Sequence, residues 1–183
     1  MASNANHRPG SPEVEATAVP TGSWYRFTNM FLGEGRSLDT YSNAGNEPFM
    51  GDTGNYSGQY WKITPLGGDY YRLTNMFLGD GRSLDTYSNA GNEPFMGDTG
   101  NYSGQYWQFT PLSGGYFRLT NMFLGSGRSL DTYSDLGNEP FMGNTGNYSG
   151  QYWKITLITG TEEIDFSGVD ATTLKPSVRR PKS

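Results

Sequence analysis

The feature that most constrains this chain is an internal repeat of 46 residues. Three blocks begin at Tyr25, Tyr71 and Phe117 and follow one another without a gap. The first two agree at 40 of 46 positions, and the second and third agree at 34 of 46, with most differences at the end of the last block. A repeat of this length forms one supersecondary unit that cannot bury its apolar face alone. We therefore expect the three blocks to pack on one another.

Within each block, glycine-rich turns separate short runs that are rich in aromatic residues and threonine, a pattern typical of β-strands. No segment shows a sustained helical period of apolar residues. In the first block we predict strands at Trp24–Asn29, Ser37–Tyr41, Glu47–Met50 and Gln59–Thr64, with equivalents one and two periods later. The chain is therefore predicted to be all-β, with about twelve strands and no helix.

Two architectures are built from repeats of four short strands, the β-propeller and the three-fold β-trefoil. A propeller needs at least about four blades, so three could close only by oligomerising. A β-trefoil needs three units, which is the number present. We predict a β-trefoil at residues 24–156, with repeats at about 25–70, 71–116 and 117–156, a flexible N-terminal segment at 1–23 and a C-terminal tail at 157–183.

Each block contains the sequence SLDTYS, then a loop, then GQYW. This pattern resembles the ricin B-chain type of β-trefoil lectin, whose units carry an Asp after a Leu on the second strand and end in a Gln-x-Trp motif. The resemblance covers about residues 24–156. The three Gln-x-Trp copies are Gln59/Trp61, Gln105/Trp107 and Gln151/Trp153.

Composition excludes several classes of function. The chain has no cysteine and one histidine, His7 in a polar N-terminal segment, so thiol catalysis, zinc fingers and histidine-based sites are not expected. We expect no cofactor and no metal site. The net charge of −5 argues against nucleic-acid binding, and no apolar run is long enough for membrane insertion. A protein that is soluble, and either cytoplasmic or exported without a conventional signal peptide, is expected.

Strand alternation suggests what the repeated surface does. If Leu38 points inward, Asp39 and Tyr41 share the outward face of the second strand. A carboxylate can accept hydrogen bonds from vicinal sugar hydroxyls, while an aromatic ring covers the C–H side of a pyranose. Asn46 and Tyr56 lie nearby in the sequence. The pattern favours a lectin whose partners are glycans or glycoconjugates.

The resemblance implies a role for particular residues: Asp39 as the carboxylate, Phe49 or Tyr56 as the aromatic platform, and Gln59 as the amide, in a site that binds galactose-like sugars. The Asn that often precedes the Gln in that family is Gly58 here, which weakens the expectation of galactose. Across the three blocks the candidate carbohydrate-binding residues are Asp39, Tyr41, Asn46, Phe49, Tyr56, Gln59, Asp85, Tyr87, Asn92, Phe95, Tyr102, Gln105, Asp131, Tyr133, Asn138, Phe141, Tyr148 and Gln151.

Structural roles compete with these assignments. Gln59 is expected to bond backbone and orient Asp39 rather than bind sugar, and Asp39 itself could cap a turn. Of the adjacent pair Phe49 and Met50, one must face inward, and we expect the bulkier Phe49 to do so. In that case Tyr41 or Tyr56 becomes the better stacking platform.

The repeats are also compatible with two other functions, a glycosidase and a structural or assembly protein. Paired carboxylates in each block could indicate a glycosidase, but three equivalent active sites in a small barrel with shallow loops are improbable, so no enzymatic activity is expected. The alternative to a lectin is a structural or assembly protein. In that reading the repeats serve only as scaffold, and the tails mediate association between copies into a homo-oligomer.

Overall fold

The computed structural model describes residues 18–42, 47–88, 93–133 and 139–158. Twelve strands of five to seven residues account for about half of this part of the chain, and each repeat supplies four of them. The strands are β1 (Tyr25–Asn29), β2 (Arg36–Thr40), β3 (Pro48–Asp52), β4 (Trp61–Gly67), β5 (Tyr70–Asn75), β6 (Arg82–Thr86), β7 (Pro94–Asp98), β8 (Trp107–Pro111), β9 (Phe117–Asn121), β10 (Arg128–Thr132), β11 (Pro140–Asn144) and β12 (Trp153–Leu157).

Six strands form a closed barrel in the order β1-β12-β9-β8-β5-β4, in which all neighbours are antiparallel. The other six form three two-stranded hairpins, β2-β3, β6-β7 and β10-β11, one from each repeat. Residues of β3, β7 and β11 approach one another, so the hairpins meet around the three-fold axis. This is the β-trefoil arrangement predicted from the sequence, and the prediction is confirmed.

Helical structure in the described residues is confined to four 3₁₀ turns of three residues each, and no segment there is a helix long and apolar enough to cross a membrane. Three of these turns are equivalent and contain the Gln of each Gln-x-Trp motif: Ser57–Gln59, Ser103–Gln105 and Ser149–Gln151. The predicted strand at Gln59–Thr64 therefore begins later, at Trp61. The turn directs Gln59 away from the ladder that β4 forms with β5.

The core lies inside the barrel and under the hairpins. Trp61, Trp107 and Trp153 are all fully buried. The indole nitrogen of Trp61 donates a hydrogen bond of 2.9 Å to the carbonyl of Leu38, and the other two repeats reproduce this bond. A buried indole N–H needs such a partner to avoid the cost of desolvation. The bond also joins the tryptophan-bearing barrel strand of each repeat to the second strand of the same repeat.

The expectation that Phe49 faces the core is wrong. In the β2-β3 hairpin Leu38 is opposite Met50, and both belong to the core cluster. Phe49 is opposite Asp39 and therefore lies on the other face, where it stacks on Tyr41 with a ring-centroid distance of 4.2 Å. The flexible Met side chain fills the space beneath the hairpin. This places an aromatic ring on the same face as the carboxylate.

A buried asparagine joins each repeat to the one before it. The Nδ2 of Asn75 donates to the Thr40 hydroxyl and to the Gly58 carbonyl, both at 3.2 Å. Asn29 makes the equivalent contacts with Thr132 and Gly150, and so connects the first repeat to the third. The ring of contacts is thus closed, and the segment around Asp39 is completed by the following repeat.

Candidate functional site

The centre of the candidate site is a buried pair of side chains, Asp39 and Gln59. The Nε2 of Gln59 donates to Asp39 Oδ2 at 3.0 Å, while the backbone N–H of Thr40 donates to Asp39 Oδ1 at 2.8 Å. The same two bonds, with the same lengths, hold Asp85 and Asp131. The carboxylates are only 3–8% exposed. Each carboxylate is therefore fixed in orientation by hydrogen bonds within its own repeat.

The rest of the Gln59 side chain is also bonded. Its Nε2 donates a second bond to the Asp52 carbonyl at 2.9 Å, and its Oε1 accepts from Gly54 N–H at 3.1 Å and from Arg26 Nη1 at 2.7 Å. Gln59 is fully buried. Both polar atoms of Gln59 therefore hydrogen-bond within the protein, where they position Asp39 and the loop after β3.

The cation behind this pair differs between the repeats. Arg26 contacts the Gln59 amide, and burial lowers the pKa of Arg26, while the nearby Tyr60 and Asp39 act in the opposite direction. Arg26 also donates to the Gly54 carbonyl at 3.2 Å, and Arg72 and Arg118 make the equivalent bonds to the carbonyls of Gly100 and Gly146 at 2.9 and 2.6 Å, but neither bonds its glutamine. The first repeat therefore has a chain of contacts from arginine through glutamine to aspartate.

Steric crowding explains why glycine stands before each Gln-x-Trp motif, where the resemblance leads one to expect asparagine. A Cβ at Gly104 would lie 2.1 Å from Asp85 Oδ1, and one at Gly150 would lie 2.2 Å from Asp131 Oδ1. The carboxylate thus occupies the space that a side chain at this position would need. An asparagine could not be accommodated here without moving the aspartate, so the amide donor of the family's site has no counterpart at this position.

Next to each carboxylate is a stack of two aromatic rings. Tyr41 lies on Phe49, Tyr87 on Phe95 and Tyr133 on Phe141, with centroid distances of 4.1–4.2 Å and interplanar angles of 13–16°. One face of each Phe ring is therefore covered by a Tyr ring. The side chains of Tyr87 and Tyr133 are 41% and 44% exposed, but Tyr41 is only 4% exposed. The exposed ring of the stack is a tyrosine, and it is exposed in the second and third repeats.

The third aromatic candidate lies in the loop before the 3₁₀ turn. The ring of Tyr102 covers Gly100, and that of Tyr148 covers Gly146, where an added Cβ would meet the ring at 2.6 Å. Both tyrosines are 59% exposed, and Tyr56 is less exposed than either. These rings belong to the loop whose Gly N–H bonds the glutamine, so they lie in the segment adjoining the carboxylate.

The structure brings the predicted Asp, Gln and Phe residues and the Tyr of SLDTYS into one cluster in every repeat. Asn46, Asn92 and Asn138 lie outside the described residues. Sequence reasoning missed two participants. Gly51 leaves room for both Asp39 and the Phe49 ring, which an added Cβ would approach to 3.1 and 2.9 Å. Asn75 supports Thr40 from the next repeat, and its recurrence in every TNMFLG segment was the available signal.

Comparison with solved structures agrees with this architecture. A designed three-fold symmetric protein, ThreeFoil, matches with a TM-score of 0.64 and 20% identity over 74% of this chain and 99% of its own. The chain is a β-trefoil. The BEL β-trefoil matches with a TM-score of 0.61 and 16% identity, over 79% of this chain and 99% of that one.

A third match is 1,3Gal43A, an exo-β-1,3-galactanase from Clostridium thermocellum, with a TM-score of 0.65 and 20% identity. The match covers 77% of this chain but only 31% of the galactanase. At these identities the likeness is one of fold. The sequence matches no family model and no curated protein.

Proposed function

We propose that this protein is a lectin without catalytic activity, which binds glycans through equivalent sites in its repeats. The observation that carries the proposal is the repeated pairing of a fixed carboxylate with a Tyr–Phe stack whose outer ring is exposed in Tyr87 and Tyr133. A rigid ring beside an oriented acceptor fits the amphipathic surface of a pyranose. The galactanase match makes galactose-containing glycans the first class to test.

We rank the three proposed sites by the exposure of their tyrosine rings. Tyr87 and Tyr133 present their rings to solvent, whereas Tyr41 is buried. We therefore expect two principal sites, in the second and third repeats, and a weaker one in the first. Two sites on one rigid body raise the effective concentration at a multivalent surface, which can increase avidity about 10²- to 10⁴-fold without any new contact. Binding should thus depend strongly on glycan density.

The first test is a glycan array at high and low surface density, with the full chain and a Tyr87→Ala/Tyr133→Ala double variant. We expect selective binding by the full chain at high density. The double variant should lose it, because the stacking surfaces of both principal sites are removed. The exposed rings make few demands on the fold, and near-ultraviolet circular dichroism of the three buried tryptophans checks that both chains are folded.

The matched control is Asp52→Asn/Asp98→Asn. These side chains are 73% and 93% exposed, lie in the same hairpins, and have an asparagine, Asn144, at the equivalent place in the third repeat. This control should bind like the full chain. Equal binding by the Tyr double variant would move the site away from the aromatic stack. Absence of binding by the folded full chain to every glycan would favour the assembly or protein-binding function instead.

A further inference from the structure

The first repeat contains a groove that is separate from the three repeated sites. It lies between residues 21–24 and the strand segment Lys62–Pro65, with a cavity volume of about 560 Å³. Strand β4 pairs with β5 along this segment, but it meets β1 through one residue pair, Tyr25 with Trp61. Beyond that pair the two segments separate, and the groove fills the space between them.

The groove combines an apolar wall with a cation. The half-buried ring of Trp24 and the side chain of Pro65 line it, and the Nζ of Lys62 lies 6.0 Å from the Trp24 ring centroid. Lys62 also forms a salt bridge of 2.9 Å with Asp80, an exposed contact that contributes little stability. Tyrosines replace Trp24 in the other repeats, at Tyr70 and Tyr116, so the indole is particular to this groove.

The chain leaves the barrel beside this groove. The backbone N–H of Ile158 donates to the carbonyl of Trp24 at 3.0 Å, and residues 159–183 follow. Six residues span at most about 20 Å, so the stretch around Ile164 is within reach of the Trp24 ring. Residues 162–166, with the sequence EEIDF, carry three carboxylates and two large apolar side chains, and the first basic residue after them is Lys175.

We propose that residues 162–166 of the same chain occupy this groove, with Ile164 and Phe166 against Trp24 and Pro65 and the carboxylates directed toward Lys62. Tethering favours this occupant, because a short linker holds the segment at an effective concentration of about millimolar. The charges are complementary, and the edge of β4 beside the groove suits an extended peptide. The inference is independent of sugar binding.

Tryptophan fluorescence can report on the groove because Trp61, Trp107 and Trp153 are fully buried. Quenching by iodide or acrylamide therefore monitors Trp24. We expect Trp24 to be protected in the full chain and to lose that protection in an Ile164→Ser/Phe166→Ser variant. A Leu174→Ser/Val178→Ser variant, which removes apolar groups from the later part of the tail, should retain it. Equal quenching in all three chains would overturn the proposal.

Disulfide trapping identifies which copy supplies the segment, because the chain contains no cysteine. A Ser23→Cys/Ser167→Cys variant, which keeps Ile164 and Phe166, should form an intramolecular disulfide under mild oxidation, and a Ser23→Cys/Ser177→Cys control should do so much less. Mass spectrometry under non-reducing conditions separates linked monomers from linked dimers. Dimers would overturn the proposal in favour of a second copy as the occupant. Equal yields from the two cysteine pairs would overturn it as well, because they would show that residues 162–166 do not occupy a defined position in the groove.

Discussion

Replacing Gly104 by alanine is expected to lower the free energy of unfolding by about 3 kcal/mol. This is a larger loss than a substitution on the protein surface usually causes. The added Cβ would lie 2.1 Å from Asp85 Oδ1 and 3.3 Å from the Thr86 backbone nitrogen. Asp85 cannot move aside without giving up its bonds to the Thr86 N–H and to Gln105 Nε2. Either the overpacking remains or a buried carboxylate loses a partner.

Urea unfolding measures this effect, with Gly81→Ala and Gly127→Ala as controls. A Cβ at either control position would have no atom within 4 Å, so these variants should unfold close to the original midpoint. Gly150→Ala should reproduce the loss, since its Cβ would lie 2.2 Å from Asp131 Oδ1. A Gly104→Ala midpoint no lower than that of Gly81→Ala would show that the contact between glycine and carboxylate is not a packing constraint.

Replacing Gln105 by glutamate should make stability strongly dependent on pH. Gln105 Nε2 donates to Asp85 Oδ2 at 3.0 Å and to the Asp98 carbonyl at 2.8 Å. A carboxylate there would face one buried carboxylate and one carbonyl, which costs about 3–5 kcal/mol when it is ionised. When protonated it can donate to Asp85 again. Burial and the like charge therefore raise the pKa of the introduced group above its unfolded value of about 4.3.

The direction in which stability changes with pH follows from proton linkage. A carboxyl whose pKa is higher in the folded than in the unfolded state binds more protons when folded, so stability is retained below the unfolded pKa and is lost as the pH rises through the folded pKa. Urea unfolding from pH 4 to pH 8 should show the Gln105→Glu variant falling progressively below the original chain. A Gln105→Met variant lacks the introduced carboxyl, so its deficit should change much less with pH over this range.

Gln59→Glu provides a second comparison within the same molecule. Gln59 Oε1 accepts from Arg26 Nη1 at 2.7 Å, so the introduced carboxylate would have a cation beside it. Its loss at pH 8 should be smaller than that of Gln105→Glu, because Arg72, the equivalent of Arg26, bonds the Gly100 carbonyl but not the Gln105 side chain. Equal losses at the two positions would show that Arg26 does not stabilise the introduced carboxylate, and a Gln105→Glu deficit that does not change with pH would contradict the hydrogen bond between Gln105 and Asp85.

Much of the architecture could be predicted from the sequence because it follows from local patterns and from copy number. Turn glycines and aromatic alternation placed the strands within a few residues, and three blocks required a trefoil. The largest error concerned Phe49 and Met50. Adjacent strand residues must face opposite sides, but alternation does not say which side is the core. Cross-strand register decides it, because Met50 is opposite the buried Leu38.

The candidate site contains a feature that no local pattern could predict. Residues 36–61 and 82–107 are identical in sequence, yet Tyr41 is 4% exposed and Tyr87 is 41% exposed. The difference must come from what surrounds each tyrosine in the folded chain. The contact of Asp85 with Gly104 was also hidden, because the two residues are 19 positions apart and only the 3₁₀ turn brings them together.

The closed ring of asparagine contacts also limits how the number of repeats can change. In a solenoid each repeat contacts only its neighbours, so blocks can be added or removed at an end. Here Asn29 bonds to Thr132 and Gly150, and β1 pairs with β12, so no block is terminal. A chain of two blocks could complete the ring only with a block from another molecule. A fourth block could not be added to the closed ring. A cut at any hairpin turn, with the old ends joined, would by contrast leave every contact in place.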